Sequence, residues 1–190
     1  MRLFVAIHPS AEAAAHLDAA LEPVRADWPG LRWAPVDQWH LTLGFLGEVG
    51  ERLVGPLSER LGRAAARTPA LELSLTSLGA FPAARRARAC WAGVAGAVGP
   101  LRELADRVGA AARRTGIEMD GKPYRPHLTL ARPRRPPQDV TALAERLSGY
   151  AGPAWTATEL RLVRSHLGAQ VRHETLRRWS LGTAGSQPGD

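Results

Sequence analysis

A chain of 190 residues with a single cysteine and a formal charge of +7 is long enough to bury a substantial core as one domain or two small lobes. Its one thiol, Cys90, excludes an internal disulfide and a cysteine-built zinc centre, and no run reaches the roughly 20 apolar residues that cross a bilayer. We therefore expect a cytoplasmic protein with neither signal peptide nor membrane segment, and a buried structural role for Cys90. The basic excess is almost all arginine, Lys122 being the one lysine, and it favours an anionic partner such as nucleic acid or a phosphate-bearing ligand.

In chain order, Arg2 to Ile7 reads as a buried strand, and Ser10 caps a helix whose stripe of Ala14, Leu17 and Leu21 should end near Pro23. His16 lies on that helix as a surface residue. A short strand, Leu31 to Ala34, leads to a longer one over Trp39 to Leu46. Gly55-Pro56 reads as the start of a second helix, which runs to about Arg67. Leu71 to Thr76 alternates as a strand with one wet face, Phe81-Pro82 opens an arginine-bearing loop, and Ala89 to Val94 is the next strand. Leu101, Leu104, Ala105, Val108, Ala111 and Ala112 keep the 3.6-residue period of a third helix, closed by Arg113, Arg114 and Gly116. A strand ending near Arg132, a short helix with Val140, Leu143 and Leu147, and strands at Trp155 to Ser165 and Glu174 to Leu181 complete a domain of residues 1–181. Residues 182–190 read as a disordered tail.

One tetrapeptide occurs twice: His40-Leu41-Thr42-Leu43 and His127-Leu128-Thr129-Leu130. Chance recurrence in this composition is on the order of 1 in 200. On a strand, His and Thr point to one face and both leucines to the other. Sliding the chain by the 87 positions between the histidines also lays Leu3–Ile7 on Cys90–Val94, and Glu72, Leu73 and Leu75 on Glu159, Leu160 and Leu162. A strand–helix–motif strand–helix–strand unit therefore appears twice. Such a duplication tends to fold as two similar lobes, and the pseudo-twofold axis relating them would bring both His/Thr faces to one cleft.

Two facing imidazoles, each with a hydroxyl two residues on, suit attack at phosphorus. A neutral His accepts a proton from the nucleophile, a protonated one gives a proton to the leaving oxygen, and the threonines donate to the non-bridging oxygens. No metal and no cofactor are required. A zinc site on His40 and His127 is the competing reading, with His8, His166 and His173 as further candidate ligands, but it lacks an HExxH pattern or an acidic partner near either motif.

The paired motifs, with the opening RLFVAI, the stretches HLTLGFLGEV and PYRPHLTLAR, the Phe81-Pro82 pair, and the closing LRLVRSHLG and RRWSL, resemble the 2H phosphoesterases. Within them the likeness is to the bacterial and archaeal RNA 2′,3′-cyclic phosphodiesterases, also called 2′-5′ RNA ligases. This resemblance implies a bilobal α+β fold, with two mainly antiparallel sheets flanked by helices around a cleft, and metal- and ATP-independent opening of a terminal 2′,3′-cyclic phosphate to a 2′-phosphate, with weak reverse 2′-5′ ligation. It implies that His40 protonates the departing 3′ oxygen and His127 activates water, that Thr42 and Thr129 hold the phosphate, that Phe45 stacks on the terminal base, and that Arg132 helps hold the substrate. It further implies an RNA partner with a cyclic phosphate end, such as a tRNA half, and a monomer. Strand parity disagrees at one position: Phe45 shares the face of Leu43, so only a bulge or strand end at Gly44 would turn its ring toward the cleft. Arg132 reaches the cleft if its strand ends at Ala131, and Arg125, Arg134 and Arg135 extend a basic track. Small cyclic nucleotides or ADP-ribose cyclic phosphate are alternative substrates, and a non-catalytic RNA-binding module is the alternative from another class.

Overall fold

Residues 1–168 and 171–182 are described by the computed structural model. β1 (Arg2–Ile7) buries five of its six residues and passes through a turn into α1 (Ala11–Arg25), where the Ser10 side chain accepts a hydrogen bond from the Ala13 amide at 3.1 Å. This helix does not stop at Pro23: the ring is exposed, and buried Val24 holds the last turn on the core. β2 (Leu31–Trp33) precedes a single 3-10 turn over Val36–Gln38, which ends at buried Trp39, so that β3 begins only at the first motif leucine (Leu41–Glu48). α2 (Glu51–Ala66) starts four residues ahead of Gly55-Pro56. Pro56 lies on its exposed face, where water reaches the Arg52 carbonyl that lacks a helical partner.

β4 (Leu71–Phe81), β5 (Ala89–Gly96), α3 (Val98–Arg114), β6 (His127–Pro133) and the short α4 (Thr141–Arg146) follow. The expected strand from Trp155 divides into β7 (Trp155–Ala157), paired with β4, and β8 (Glu159–His166), paired with β1. The break falls at Thr158, whose carbonyl accepts the Leu181 amide and lets the chain change partners. β9 (Arg172–Ser180) closes the fold. Gly182, expected in the tail, is held by a 2.8 Å bond from its amide to the Thr68 carbonyl; residues 183–190 lie outside the described residues.

All the described strands join one curled antiparallel sheet in the order β7-β4-β5-β6-β3-β1-β8-β9, with β2 added beside β6. The two expected sheets are the wings of this one, joined at the single residue pair Leu41–Leu128. Beyond that pair β2 occupies the flank of β6, pairing Trp33 with Ala131 and Leu31 with Pro133, so β3 diverges. The order maps onto itself when β4 and β8, β5 and β1, and β6 and β3 are exchanged. The seam thus lies between the two copies of the motif. Its four leucines, Leu41, Leu43, Leu128 and Leu130, are at most 5% exposed and belong to the main core, with Leu57 and Leu61 of α2 and Leu104 and Val108 of α3. α2 and α3 lie side by side, and their buried residues pack into the core that the leucines face. The opposite, concave face carries the histidines.

Candidate active site

His40 and His127 enter the concave face on either side of the seam, each one residue before the leucine that forms it. Both rings are fixed in the same way. Nδ1 of His40 bonds the Gln38 carbonyl at 2.7 Å, and Nδ1 of His127 bonds the Arg125 carbonyl at 2.6 Å. A carbonyl only accepts, so each Nδ1 carries the proton and each Nε2 is the nitrogen left for chemistry. The anchoring carbonyls, like the histidines, are 87 positions apart. Thr42 and Thr129 are half-buried, and neither hydroxyl bonds to another described residue.

The backbone resolves the conflict over Phe45. Between Thr42 and Gly44, β3 has an extra residue relative to β1: Val5 pairs with Gly44 and Ala6 with Thr42, leaving Leu43 unopposed. After this bulge the alternation is reset. Leu43 and Gly44 are both buried and Phe45 turns to the cleft, 64% exposed, with its ring 6.2 Å from that of Phe4. Gly44 suits the site because an added Cβ would meet Val108 Cγ1 of α3 at 3.2 Å. β6 repeats the device. Cys90 pairs with Ala131 and Trp91 with Thr129, so Leu130 is the extra residue, Leu130 and Ala131 are both buried, and Arg132 emerges on the face of His127. The strand does not end at Ala131, as the parity argument required; the bulge turns Arg132 instead. Phe45 and Arg132 are therefore counterparts across the seam.

Aromatic rings wall both histidines. Phe4 stacks on His40 at 4.7 Å between centroids, and His173 meets the same ring edge-on at 5.3 Å. Phe81 meets His127 edge-on at 4.9 Å, Trp91 lies 6.4 Å away, and the Arg125 guanidinium sits 6.0 Å above Phe81. This burial lowers both proton affinities. His40 falls from 6.5 to about 4, chiefly by desolvation and against the pull of the Gln38 carbonyl, with the His173 and His127 rings adding to the fall. His127 is lowered by desolvation and by the Arg132 charge. His8, 5.9 Å from His40, is driven to about 3 by desolvation and then by Arg161. The cleft by itself is thus a neutral, base-like pair of imidazoles ringed by guanidinium groups, an environment that an anion entering it would tip toward protonation.

Sequence reasoning missed Phe4, His8 and Trp91 as walls of the cleft. Parity held the signal: Phe4 and Ala6 share one face of β1, His8 continues that alternation one residue past its end, and Phe4 and Trp91 are themselves 87 positions apart. The other candidates lie apart. His166 is taken by Glu174 at 2.7 Å, His16 is exposed and bonded to the Tyr150 hydroxyl, and Arg134 and Arg135 are exposed, Arg134 on the Pro29 carbonyl. Cys90 is fully buried and its thiol is pushed up to about 11 by desolvation, which leaves no thiolate at neutral pH. Among the described residues no three His, Cys, Asp or Glu side chains converge in a way that could hold a metal ion.

A curled antiparallel sheet presenting two matched His-x-Thr units to one cleft is the architecture of a 2H phosphoesterase. The chain belongs to the family described as LigT like Phosphoesterase, whose model matches residues 7–91 and 94–173. It is 31% identical over 184 residues to an RNA 2′,3′-cyclic phosphodiesterase of Escherichia coli (strain K12), covering 95% of this chain and 96% of that protein. An RNA 2′,3′-cyclic phosphodiesterase of Geobacillus stearothermophilus is 28% identical over 94% of this chain, which spans only 56% of that relative's length. The crystal structure of TT0787 of Thermus thermophilus superposes with a TM-score of 0.82 at 30% identity, covering 97% of this chain and 99% of that one.

Proposed function

We propose that this protein hydrolyses the 2′,3′-cyclic phosphate ends of RNA to 2′-phosphomonoesters. The observation that carries the reading is the pair of Nδ1-anchored imidazoles, each turning Nε2 into one arginine-flanked cleft beside a threonine hydroxyl that bonds to no other described residue. The relatives named RNA 2′,3′-cyclic phosphodiesterase support the substrate class.

In this scheme Thr42 and Thr129 donate to the non-bridging oxygens, Arg132 adds a guanidinium on the His127 side, and Phe45 offers an exposed ring to the terminal base. Water attacks phosphorus and yields its proton to Nε2 of His127, the P–O3′ bond breaks, and the 3′ oxygen takes the proton from Nε2 of His40. His127 ends protonated and His40 neutral, and exchange with solvent resets the pair. No step calls for a metal ion or a nucleotide cofactor. His40 must arrive protonated although its value in the free protein is about 4; the substrate's negative charge, brought close in a dry site, raises it. With a 5′-hydroxyl in place of water the same machinery would form a 2′-5′ linkage, Nε2 of His127 taking the hydroxyl proton and Nε2 of His40 protonating the departing 3′ oxygen. We take the working unit to be a cytoplasmic monomer spanning residues 1–181, with tRNA halves among its substrates.

Purified protein incubated with an oligonucleotide ending in a 2′,3′-cyclic phosphate, with and without EDTA, tests the proposal. The expected product is the 2′-phosphate, formed at equal rate in both arms. A 3′-phosphate product would reverse the roles of the histidines, and no product, with RNA binding that survives loss of both histidines, would establish the non-catalytic alternative.

A further inference from the structure

On the far side of the sheet from the histidines, α2 and α3 enclose a groove of about 220 Å³ lined by Arg60, Arg63 and Arg67 from one helix and Arg107 and Arg114 from the other. The spacing puts each set in one stripe along its helix. The floor is small and apolar, made of Ala64, Ala110 and Ala111, so the guanidinium groups form the walls. Only Arg107 has an acidic partner among the described residues: it meets Glu103 at 3.2 Å and donates to the Thr68 hydroxyl at 3.0 Å. Thr68, 1% exposed and bonded in turn to the Ala64 carbonyl, is an anchor built into the end of the groove. Arg60, Arg63, Arg67 and Arg114 form no ion pair with a described residue.

Two ordinary explanations fall short. Cations near a helix C-terminus suit the dipole, which accounts for Arg63, Arg67 and Arg114 but not for Arg60 and Arg107, farther from the ends. A general excess of arginine would spread over the equivalent positions, yet α1, the counterpart of α3 across the seam, carries Glu12, Asp18 and Glu22 against Arg25 alone among arginines. The four guanidinium groups that converge without counterions repel one another, and the arrangement becomes favourable when an anion enters. A guanidinium forks onto phosphate oxygens through two parallel bonds, and five of them around one groove exceed what a single phosphate accepts.

We propose that the α2/α3 groove is a second anion site, separate from the cleft, that binds closely spaced phosphate groups, supplied either by an RNA backbone or by a free polyphosphate. The test compares the triple variant Arg60→Gln/Arg67→Gln/Arg114→Gln with a charge-matched control, Arg2→Gln/Arg52→Gln/Arg102→Gln, whose side chains are exposed away from the groove. One arm titrates a fluorescent 3′-hydroxyl RNA oligonucleotide at several salt concentrations, and the other titrates inorganic tripolyphosphate by calorimetry. The groove variant should bind at least one of them tenfold or more weaker than the control does. For RNA, the slope of log affinity against log salt should fall by about 2, since each neutralised phosphate on a single strand contributes about 0.7. Loss confined to RNA assigns the site to a backbone, and loss confined to tripolyphosphate assigns it to a small polyphosphate. Equal binding by groove and control variants in both arms overturns the proposal. Turnover of a dinucleotide cyclic phosphate, too short to reach both faces, should match wild type in the groove variant; it reports an intact fold and separates this question from that of the cleft.

Discussion

Gly79→Ala is a one-carbon change far in sequence from either motif, and the structure makes it a test of the wall around His127. A Cβ at Gly79 would lie 2.8 Å from Cζ3 of Trp91 and still closer to Cη2 and Cζ2, where ordinary carbon contacts begin near 3.5 Å. The strand backbone at Gly79 is paired with Trp91 itself, so the indole must move by about an ångström. Trp91 packs on Phe81 at 5.2 Å, and Phe81 packs on His127 at 4.9 Å; the displacement therefore passes to the imidazole. Overpacking of this kind costs about 2 kcal/mol, which for a chain of this length lowers Tm by about 4–8 °C. A misplacement near 1 Å costs roughly 10²-fold in rate. Differential scanning fluorimetry and turnover of a cyclic-phosphate dinucleotide measure the two effects. Gly79→Ala/Trp91→Leu, which removes the obstructing ring, should regain much of the lost stability but not the activity. Wild-type Tm and kcat in Gly79→Ala would refute the chain of contacts.

His40→Ala and His127→Ala should each lower kcat by about 10²–10⁴-fold, and the double variant should be little worse than the poorer single one; additive losses in single-turnover assays would deny a concerted pair. Phe45→Ala should weaken binding of base-bearing substrates by about 1–3 kcal/mol, the usual contribution of one stacked base, while kcat for ribose 2′,3′-cyclic phosphate, which has no base, stays unchanged. Both free-protein histidine values lie below 6.5, so kcat/KM should peak in mildly acidic solution and decline through neutrality, with the kcat profile displaced to higher pH by the bound anion. Stability should follow the same groups in the opposite sense. As pH falls from 6.5 toward 4, the unfolded chain takes up a proton that folded His40 refuses, a loss of up to about 3 kcal/mol, and His8, at about 3, adds to it. Urea midpoints at pH 7 and 4.5 should therefore diverge less in His8→Gln/His40→Gln than in wild type.

The repeat was the most legible feature of this chain, because residues that must form the same strand and the same helix twice are chosen twice by the same alternation and period. From it followed the partition of His40, Thr42, His127 and Thr129 from the four leucines. What could not be read was anything set by strand partners. The extra residues at Leu43 and Leu130 are defined only against β1 and β5, and without them parity assigned Phe45 to the wrong face. Helix ends moved for a similar reason. Pro23 and Pro56 lie on wet faces, where a missing hydrogen bond is met by water, while proline rules assume the cost of a dry one. The arginine groove needed two helices, from opposite halves of the sequence, to be brought together behind one wing.

The single pair Leu41–Leu128 that joins β3 to β6 makes the aperture of the cleft a matter of one joint. Each imidazole is rigid with respect to its own half, through its own carbonyl and its own aromatic wall. The gap between the two Nε2 atoms depends instead on the angle between the wings at that joint, because α2 and α3 both lie behind one wing, α3 on β3 and α2 on β8 and β9. Fit to a larger or smaller phosphoester is thus a property of the angle between wings, which substitutions in the core beneath Leu41 and Leu128 can tune without altering any residue that touches the substrate.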